Sequence, residues 1–315
     1  MMKSSVVIAV FLFSFLGLVA QNRPEALASM QDLEYVFPTQ KAKLANGMEL
    51  AYVDEGSGEE VLLFVHGLGS YIPAWRKNIV ELRRDFRCIA VDLPGYGKSS
   101  KGKYSGTLPF FAEQLIALLD HLNIEQVTLV GHSMGGQISM VTALQYPDRI
   151  KRLVLCAPAG FETFNEGQKE WFREVITANG VRLTPVESIK ANLGSNFLNF
   201  PKDAEFMIDD RIAMRSAEDF PGYCYIIPKS VQAMVDMPVY DELPNITQPV
   251  QVIFGKQDNL IPNRFLNPGS TTKIAEDGAS RIPNAQLNIV NKAGHFVMFE
   301  QAEEVNQIIR AFMAK

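Results

Sequence analysis

Cysteine is scarce in this chain of 315 residues, which contains only Cys88, Cys156 and Cys224. An odd number of cysteines cannot pair completely, which excludes a disulfide framework as the basis of the fold. Cys88 and Cys156 lie in apolar runs typical of strands, where an unpaired cysteine acts as a small hydrophobic side chain. The four histidines are scattered along the chain rather than grouped with the cysteines. The sequence therefore predicts no metal site.

Positive charge is also in short supply, because 30 lysines and arginines stand against 35 acidic residues, a net charge of −5. Binding to nucleic acid needs a basic face that matches the phosphates, so nucleic acid is not expected as a partner. The chain shows no internal repeat and no low-complexity segment, and 47% of its residues are hydrophobic, as in ordinary globular proteins. Its length predicts about two domains, or one large α/β domain with an insertion.

A long apolar run is missing as well. The run Val6–Ala20 has fifteen residues, fewer than the roughly 20 that a membrane-spanning helix needs. Lys3 precedes it and polar residues follow it, which is the layout of a secretory signal peptide. We therefore predict a signal peptide at residues 1–20 and a secreted or periplasmic protein, without stable membrane insertion if the signal is cleaved. An uncleaved N-terminal anchor is the alternative.

Short apolar runs rich in valine, isoleucine and leucine recur along the rest of the sequence. They are Val61–Gly67, Arg87–Leu93, Gln126–His132, Arg152–Pro158 and Val250–Gly255. Continuous runs of this length are typical of strands buried on both faces of a parallel sheet. Helical patterns alternate with them, which predicts a doubly wound, mostly parallel α/β sheet with its ligand site at the carboxyl ends of the strands. Met48–Gly56 alternates more strongly and is predicted to be an antiparallel edge strand.

The strand pattern stops between residues 160 and 245 and resumes afterwards. This stretch predicts several helices that carry many aromatic and methionine side chains. We interpret it as a helical cap inserted into a core formed by residues 21–159 and 246–315. Its aromatic residues form a core of their own, cover the ligand edge of the sheet, or do both. On the second interpretation, Trp171 and Phe172 are candidate substrate contacts.

The pattern Gly131-x-Ser133-x-Gly135 follows an apolar run and precedes a helical pattern. One interpretation is a plain tight turn. The other is a nucleophile elbow, in which a sharp strand-to-helix turn presents the serine hydroxyl. A serine hydroxyl is a weak nucleophile without a base, so the second interpretation requires a histidine within reach of Ser133.

His295 is the candidate base, because it follows the last apolar run and a glycine precedes it. Asp258 follows another strand, at the same edge of the predicted sheet, and is the candidate acid that orients the imidazole. The chain order Ser133, Asp258, His295 is typical of an α/β-hydrolase triad. Asp92 also ends a strand, but it precedes the serine, and we interpret it as a residue that shapes its loop.

An oxyanion hole needs two backbone N–H groups aimed at the developing charge. Met134 is one candidate donor, because it directly follows the serine at the start of a helix. Leu68 is the other, because the glycine-rich segment Phe64–Ser70 follows an earlier strand.

Five segments in order carry a resemblance that spans about residues 46–315. They are HGLGS, DLPGYGKSS, GHSMGG, GKQDNLIP and AGHFVMFE. The chain resembles members of the α/β-hydrolase fold family. The resemblance implies a serine nucleophile, a helical cap and hydrolysis without a cofactor. Ser133 argues against the relatives that cleave epoxides or carbon–halogen bonds, which carry aspartate at the elbow. The segment Asn263–Ala285 is longer than the usual connection and is expected to alter the mouth of the pocket.

These features predict a carboxylesterase that cleaves small to medium apolar esters through an acyl-enzyme. A carbon–carbon bond hydrolase is the alternative enzyme, and a catalytically idle member that binds a ligand is the alternative outside catalysis. A substrate carboxylate would need an arginine near the site. The candidates are Arg173, Arg182, Arg211 and Arg215.

Overall fold

A computed structural model describes residues 26–315 of the chain. The strands are β1 Gln40–Lys43, β2 Glu49–Glu55, β3 Val61–Val65, β4 Arg87–Val91, β5 Val127–His132, β6 Ile150–Cys156, β7 Val250–Gly255 and β8 Ala285–Val290. The helices are α1 Arg76–Leu82, α2 Leu108–His121, α3 Met134–Gln145, α4 Glu166–Val175, α5 Ala178–Leu183, α6 Val186–Gly194, α7 Glu205–Ala213, α8 Phe220–Asp236, α9 Thr271–Arg281, α10 Val297–Glu300 and α11 Ala302–Met313.

The signal peptide predicted at residues 1–20 lies outside the described residues, so secretion stays a prediction. Within residues 26–315, no helix has both the length and the apolar character that a membrane span requires.

All eight strands belong to one sheet, in the order β1-β2-β4-β3-β5-β6-β7-β8. Strands β3 to β8 run parallel to one another. At one end of the sheet, β2 pairs antiparallel with both β4 and β1. The predicted fold class, a doubly wound and mostly parallel sheet, is therefore confirmed. The edge position predicted for β2 is wrong, because β1 pairs along its outer side. With four residues, β1 is too short to show an alternating pattern.

The ligand edge is set by the neighbouring strands β3 and β5. The chain leaves β3 toward β4 on one side, and after β5 it continues toward β6 on the other side. This reversal opens a crevice at the carboxyl ends of the two central strands, where doubly wound sheets bind ligands. Val65 at the end of β3 pairs with Gly131 near the end of β5. The loops that follow the two strands therefore start side by side.

Five helices, α4 to α8, lie between β6 and β7. We call residues 160–245 the helical insertion. Its outer helices α4 and α5 bury none of their residues, whereas α8 buries more than half of its length. Buried side chains of α7 and α8, such as Met207 and Tyr223, belong to the same apolar cluster as the sheet strands. The inner half of the insertion is thus continuous with the main core.

Candidate active site

Ser133 lies at the sharp turn between β5 and α3. Its backbone has φ 53° and ψ −120°, a conformation that costs energy for any residue with a Cβ. A serine at the N-terminus of a helix normally caps a backbone N–H, but the Ser133 hydroxyl makes no such bond. A Cβ at Gly135 would lie 2.2 Å from the carbonyl oxygen of Val65, so only glycine permits this approach of helix and strand. The turn is strained, and the hydroxyl of the partly exposed Ser133 does not cap the helix.

His295 and Asp258 meet at the same edge of the sheet. Nδ1 of His295 donates to Oδ2 of Asp258 over 2.8 Å, and both side chains are buried. The second oxygen of Asp258 accepts the backbone N–H groups of Leu260 and Ile261, at 2.8 and 3.1 Å. Both carboxylate oxygens are therefore engaged, and the carboxylate holds the proton of the neutral imidazole on Nδ1. This tautomer leaves Nε2 as the basic nitrogen.

His132 brings the loop of His295 next to the elbow. It immediately precedes Ser133, and its Nε2 donates to the backbone carbonyl of His295 over 3.0 Å. The centroids of the two imidazole rings are 4.8 Å apart. Burial lowers the pKa of His132 well below its ordinary value, and the neighbouring His295 lowers it further. A neutral His132 therefore adds no positive charge beside His295.

The two predicted oxyanion donors lie at the start of α3 and in the loop after β3. Met134 is the first residue of α3, where a backbone N–H has no acceptor within the helix. Leu68 follows Gly67 in the loop after β3. A Cβ built on Gly67 would lie 3.0 Å from Cβ of Ser133, so this loop packs directly against the serine.

His66 orients the peptide unit that carries the N–H of Leu68. Its Nδ1 donates to the carbonyl of Gly67 over 2.8 Å, and its Nε2 accepts the backbone N–H of Leu93 over 3.0 Å. Burial lowers the pKa of His66, which favours the neutral ring that these two bonds require. The N–H of Ser70 also reaches the Gly67 carbonyl, at 3.2 Å. In a trans peptide the N–H points opposite to the C=O, so these bonds direct the Leu68 N–H away from His66.

The structure gives Asp92 a different environment from that of Asp258. Its carboxylate accepts the Tyr35 hydroxyl at 2.6 Å and the backbone N–H groups of Ile72 and Lys98 at 2.8 and 2.7 Å. Tyr35 and Lys98 belong to loops, Ile72 begins a short 3-10 helix, and none of the three donors is a histidine. The buried Asp92 thus ties the loops after β3 and β4 together, as its interpretation as a loop-shaping residue requires.

A cavity of about 420 Å³ lies between the loop after β3 and the helical insertion. Leu68 and Phe296, the residue after His295, are among its lining residues. Beyond Phe296 and the loop after β3, the lining residues come from the helical insertion, from Val175 at the end of α4 to α8, and are mostly apolar, including Met207, Ile227 and Val231. Ser133, Asp258 and His295 are not among the lining residues, so the cavity is an apolar chamber of ligand size beside the candidate catalytic groups.

The structure does not bring Trp171 and Phe172 to this cavity. Both belong to α4, and neither lines the cavity wall. Trp171 is 44% exposed, and its ring packs against Phe172, which in turn contacts Phe164. The sequence shows that this helix is aromatic, but only the packing decides which of its faces meets the cavity.

Two of the four candidate arginines, Arg211 and Arg215, line the cavity. Arg211 donates to the backbone carbonyl of Gly69, and its guanidinium lies 4.7 Å from the ring centroid of Tyr223. Nε of Arg211 and the hydroxyl of Tyr223 are buried without a hydrogen-bond partner among the described residues. A buried donor without a partner is costly, so these two groups are candidate contacts for a polar ligand atom.

The long segment Asn263–Ala285, which follows Asp258, is hydrogen-bonded to the helical insertion. Glu162 accepts the backbone N–H of Asn263 at 2.9 Å and the side-chain amide of Asn267 at 2.8 Å. Burial raises the pKa of Glu162, and these two hydrogen bonds oppose that change. Gln168 of α4 also donates to the carbonyl of Leu266. The segment thus connects the Asp258 loop to the outer helices.

No group of three or more histidine, cysteine or acidic side chains in residues 26–315 is arranged to hold a metal ion. Cys88, Cys156 and Cys224 are all free and buried, as unpaired hydrophobic cysteines would be.

Comparison with known proteins identifies the family. A sequence model described as the alpha/beta hydrolase fold matches residues 60–302, well over half of the chain. The chain therefore belongs to the α/β-hydrolase fold family, as the resemblance of its motifs implied.

Two relatives are informative about the range of activities within the family. The chain is 31% identical to a 2-hydroxy-6-oxononadienedioate/2-hydroxy-6-oxononatrienedioate hydrolase of Paraburkholderia phymatum, over 86% of this chain and 94% of that protein. It is 30% identical to a dihydrolipoyllysine-residue acetyltransferase component of the acetoin cleaving system of Pseudomonas putida, over 88% of this chain and 69% of that protein.

Solved structures show the same architecture. A thermophilic esterase from Thermogutta terrifontis is 28% identical, with a TM-score of 0.71 over 88% of this chain and 98% of its own. A probable hydrolytic enzyme from Pseudomonas aeruginosa PAO1 has a TM-score of 0.81 over 92% of this chain and 99% of its own. At 22% identity, the second match is evidence of the fold alone.

Proposed function

We propose that the chain is a serine hydrolase that cleaves carboxylic esters with a small to medium apolar group. One observation carries the proposal: a buried His295–Asp258 hydrogen bond of 2.8 Å adjoins a strained serine whose hydroxyl does not cap its helix. A plain tight turn does not require the strain, the free hydroxyl or the neighbouring imidazole. Together these features match the demands of an activated nucleophile.

The proposed reaction runs through an acyl-enzyme. Oγ of Ser133 attacks the ester carbonyl carbon and transfers its proton to Nε2 of His295. The carbonyl oxygen becomes an oxyanion that accepts the N–H groups of Leu68 and Met134. Collapse of this intermediate breaks the carbon–oxygen bond, and His295 protonates the departing alcohol. Water then attacks the acyl-enzyme with His295 as base, which releases the acid and restores Ser133.

The helical insertion is proposed to be a cap that sets the size of the acyl group. The core of residues 21–159 and 246–315 supplies the reacting groups, and the cap of residues 160–245 supplies most of the apolar cavity wall. An acyl chain that enters the cavity from Leu68 would lie against Ile227 and Val231 of α8. Burial of apolar chain in this chamber supplies the binding energy.

A carbon–carbon bond hydrolase is the second candidate, and Arg211 favours it. The partnerless Nε of Arg211 and the Tyr223 hydroxyl offer two donors to an anionic group in the cavity. The Paraburkholderia relative is 31% identical to this chain, and the substrates in its name are dicarboxylates. In such a reaction, Ser133 would attack a ketone, and the leaving carbon would depart as a stabilised carbanion that accepts a proton.

Two measurements test the proposal. A fluorophosphonate probe should label the purified protein at Ser133, since the probe reacts with activated serines and not with an idle ligand-binding member. A panel of chromogenic esters and of ketones with a scissile carbon–carbon bond, each with and without a terminal carboxylate, should then show turnover of the neutral esters. Turnover confined to carboxylate-bearing ketones favours the second candidate. Absence of both labelling and turnover in the folded protein overturns the enzymatic proposal.

A further inference from the structure

We infer that Tyr71 and Asp210 form a positioning pair through which the helical insertion holds the oxyanion loop, defined here as residues 67–71. The inference rests on the proposed function, because it concerns the N–H of Leu68 as an oxyanion donor. Tyr71 and Asp210 do not touch the reacting atoms themselves. Their role is to keep the loop in the geometry that the reaction needs.

The contact between the pair is close and shielded. The hydroxyl of Tyr71 donates to Oδ2 of Asp210 over 2.5 Å, and Tyr71 is only 5% exposed. Arg211, the next residue of α7, donates to the carbonyl of Gly69. Two consecutive residues of one helix therefore hold two residues of the loop. The pairing joins segments that are 139 positions apart in sequence.

The loop has a reason to need this support. At the start of the oxyanion loop, His66 donates to the carbonyl of Gly67. Just beyond the end of the loop, Asp92 accepts the N–H of Ile72. Between these two points lies Gly69 with φ +66°, a residue that can rotate more freely than any other type. Gly69 flanks the peptide that joins it to Leu68, so a rotation there would shift Leu68 and, through it, the preceding peptide that carries the Leu68 N–H. Asp210 accepts the Tyr71 hydroxyl and Arg211 donates to the Gly69 carbonyl, and both bonds oppose that rotation from the side of the insertion.

The charge around Asp210 makes the pair sensitive to pH. Burial raises the pKa of Asp210 to about 6, with Asp209 and Glu34 adding to the rise and the bond from Tyr71 opposing it. Arg211 is the cation beside the pair, and Asp92 is the other acid near Tyr71. Above about pH 6 the carboxylate is ionised and its bond to Tyr71 is charge-assisted, hence stronger. Below that pH the hold on the loop weakens.

The same shift has the opposite sign for stability. A carboxyl whose pKa is higher in the folded state stabilises the fold at low pH and loses that contribution as the pH rises through about 6. Removing the charge with Asp210→Asn should therefore leave the melting temperature at pH 8 unchanged or higher. A loss of activity in such a variant cannot be explained by a loss of folding.

The test compares kinetics with stability in four variants. Tyr71→Phe and Asp210→Ala should each lower kcat by roughly 10- to 100-fold with little change in KM, a partial loss of one oxyanion donor. Affinity for a trifluoromethyl ketone analogue should fall by the same factor. The double variant should lose no more than either single variant. Asp210→Asn should recover most of the activity, because its amide oxygen still accepts the Tyr71 hydroxyl, and its remaining deficit should disappear below pH 6.

Two variants serve as matched controls. Asp209→Asn removes the neighbouring, exposed charge of α7, and Tyr240→Phe removes a tyrosine-to-aspartate hydrogen bond far from the loop. Both should keep wild-type kcat. If Tyr71→Phe lowers only the melting temperature, or if Asp210→Ala keeps wild-type kcat at pH 8, the inference is wrong. If the folded wild type shows neither labelling nor turnover, the proposed function has failed instead.

Discussion

At the carboxyl edge of the sheet, the side chains of His66 and Asp258 are buried and fully hydrogen-bonded, whereas the outer helices of the insertion are open to solvent. His66 and Asp258 each use both of their polar side-chain atoms. Helices α4 and α5 bury none of their residues, and Leu183 at the end of α5 is 67% exposed. The loop after β3 at this edge and helices α4 and α5 both contribute residues to the wall of the same cavity.

The difference in burial between the two regions suits them to different tasks, the reaction itself at the edge of the sheet and the choice of substrate at the cavity wall. Groups that stabilise a transition state gain most when they are held in place before the substrate arrives, and the edge of the sheet meets that demand. A wall with few buried contacts opens at a lower free energy, so α4 and α5 are suited to admit and release substrate. We therefore expect substitutions at the edge to change kcat, and substitutions in the cavity wall to change which substrate is preferred.

The most severe test of this division is Ser133→Ala. We expect kcat to fall by about 10⁴-fold or more, because only binding and the oxyanion donors would remain. The melting temperature should change little, since the hydroxyl makes no capping bond to α3. Ser280→Ala, which removes an exposed hydroxyl bonded to the Asp277 carbonyl, is the control and should keep full activity. Turnover near the wild-type rate in Ser133→Ala would rule out the serine mechanism.

The two buried aspartates give the next largest contrast. Asp258→Asn should lower kcat by up to about 10⁴-fold, because an amide in place of the carboxylate favours the wrong tautomer of His295. Asp92→Asn should instead lower the free energy of unfolding by about 1–3 kcal/mol, because it disturbs the bonds from Tyr35, Ile72 and Lys98.

Steady-state kinetics and thermal melts of the purified variants separate the two aspartates. The reverse pattern, a large kinetic defect in Asp92→Asn with an active Asp258→Asn, would make Asp92 the acid of the triad.

Acyl-chain length tests the wall of the cavity. Each buried methylene is worth at most about 0.8 kcal/mol, nearly fourfold in kcat/KM, until the chamber is full. Ile227→Ala should therefore move the optimum to longer chains, because Ile227 lines the cavity. Trp171→Ala should leave the optimum where it is. A wild-type profile without any optimum would refute the idea of an apolar sieve, and an unchanged optimum in Ile227→Ala would place the chain elsewhere.

The smallest expected effect concerns the link between the Asp258 loop and the outer helices. Burial raises the pKa of Glu162, so its ionisation destabilises the fold as the pH rises above the ordinary carboxyl range. Glu162→Gln should therefore gain melting temperature relative to wild type as the pH increases from about 4 to 7, by a few degrees at most. Glu170→Gln, an exposed change on α4, should show no such trend. A parallel pH course for wild type and Glu162→Gln would show that Glu162 is not coupled to folding.

Much of the edge of the sheet could be predicted because its signals are local. Apolar runs predict the strand positions, and the glycines at 131 and 135 predict the tight turn around Ser133. The sequence pattern does not predict the outer strand β1, because its four residues are too few to show an alternation. The role of His66 at the Gly67 carbonyl also escaped notice, although its place next to the glycine-rich loop was a usable clue.

The sequence by itself determined the alternation of strands and helices, the family, and the order of Ser133, Asp258 and His295 along the chain. These depend on residues close together in sequence, where apolar period and turn chemistry act directly. Only the tertiary structure decided that Arg211 reaches the cavity, that Trp171 does not, and that Tyr71 meets Asp210. Each of these depends on how a helix of the insertion rotates and packs against a distant loop, and no local pattern specifies that rotation.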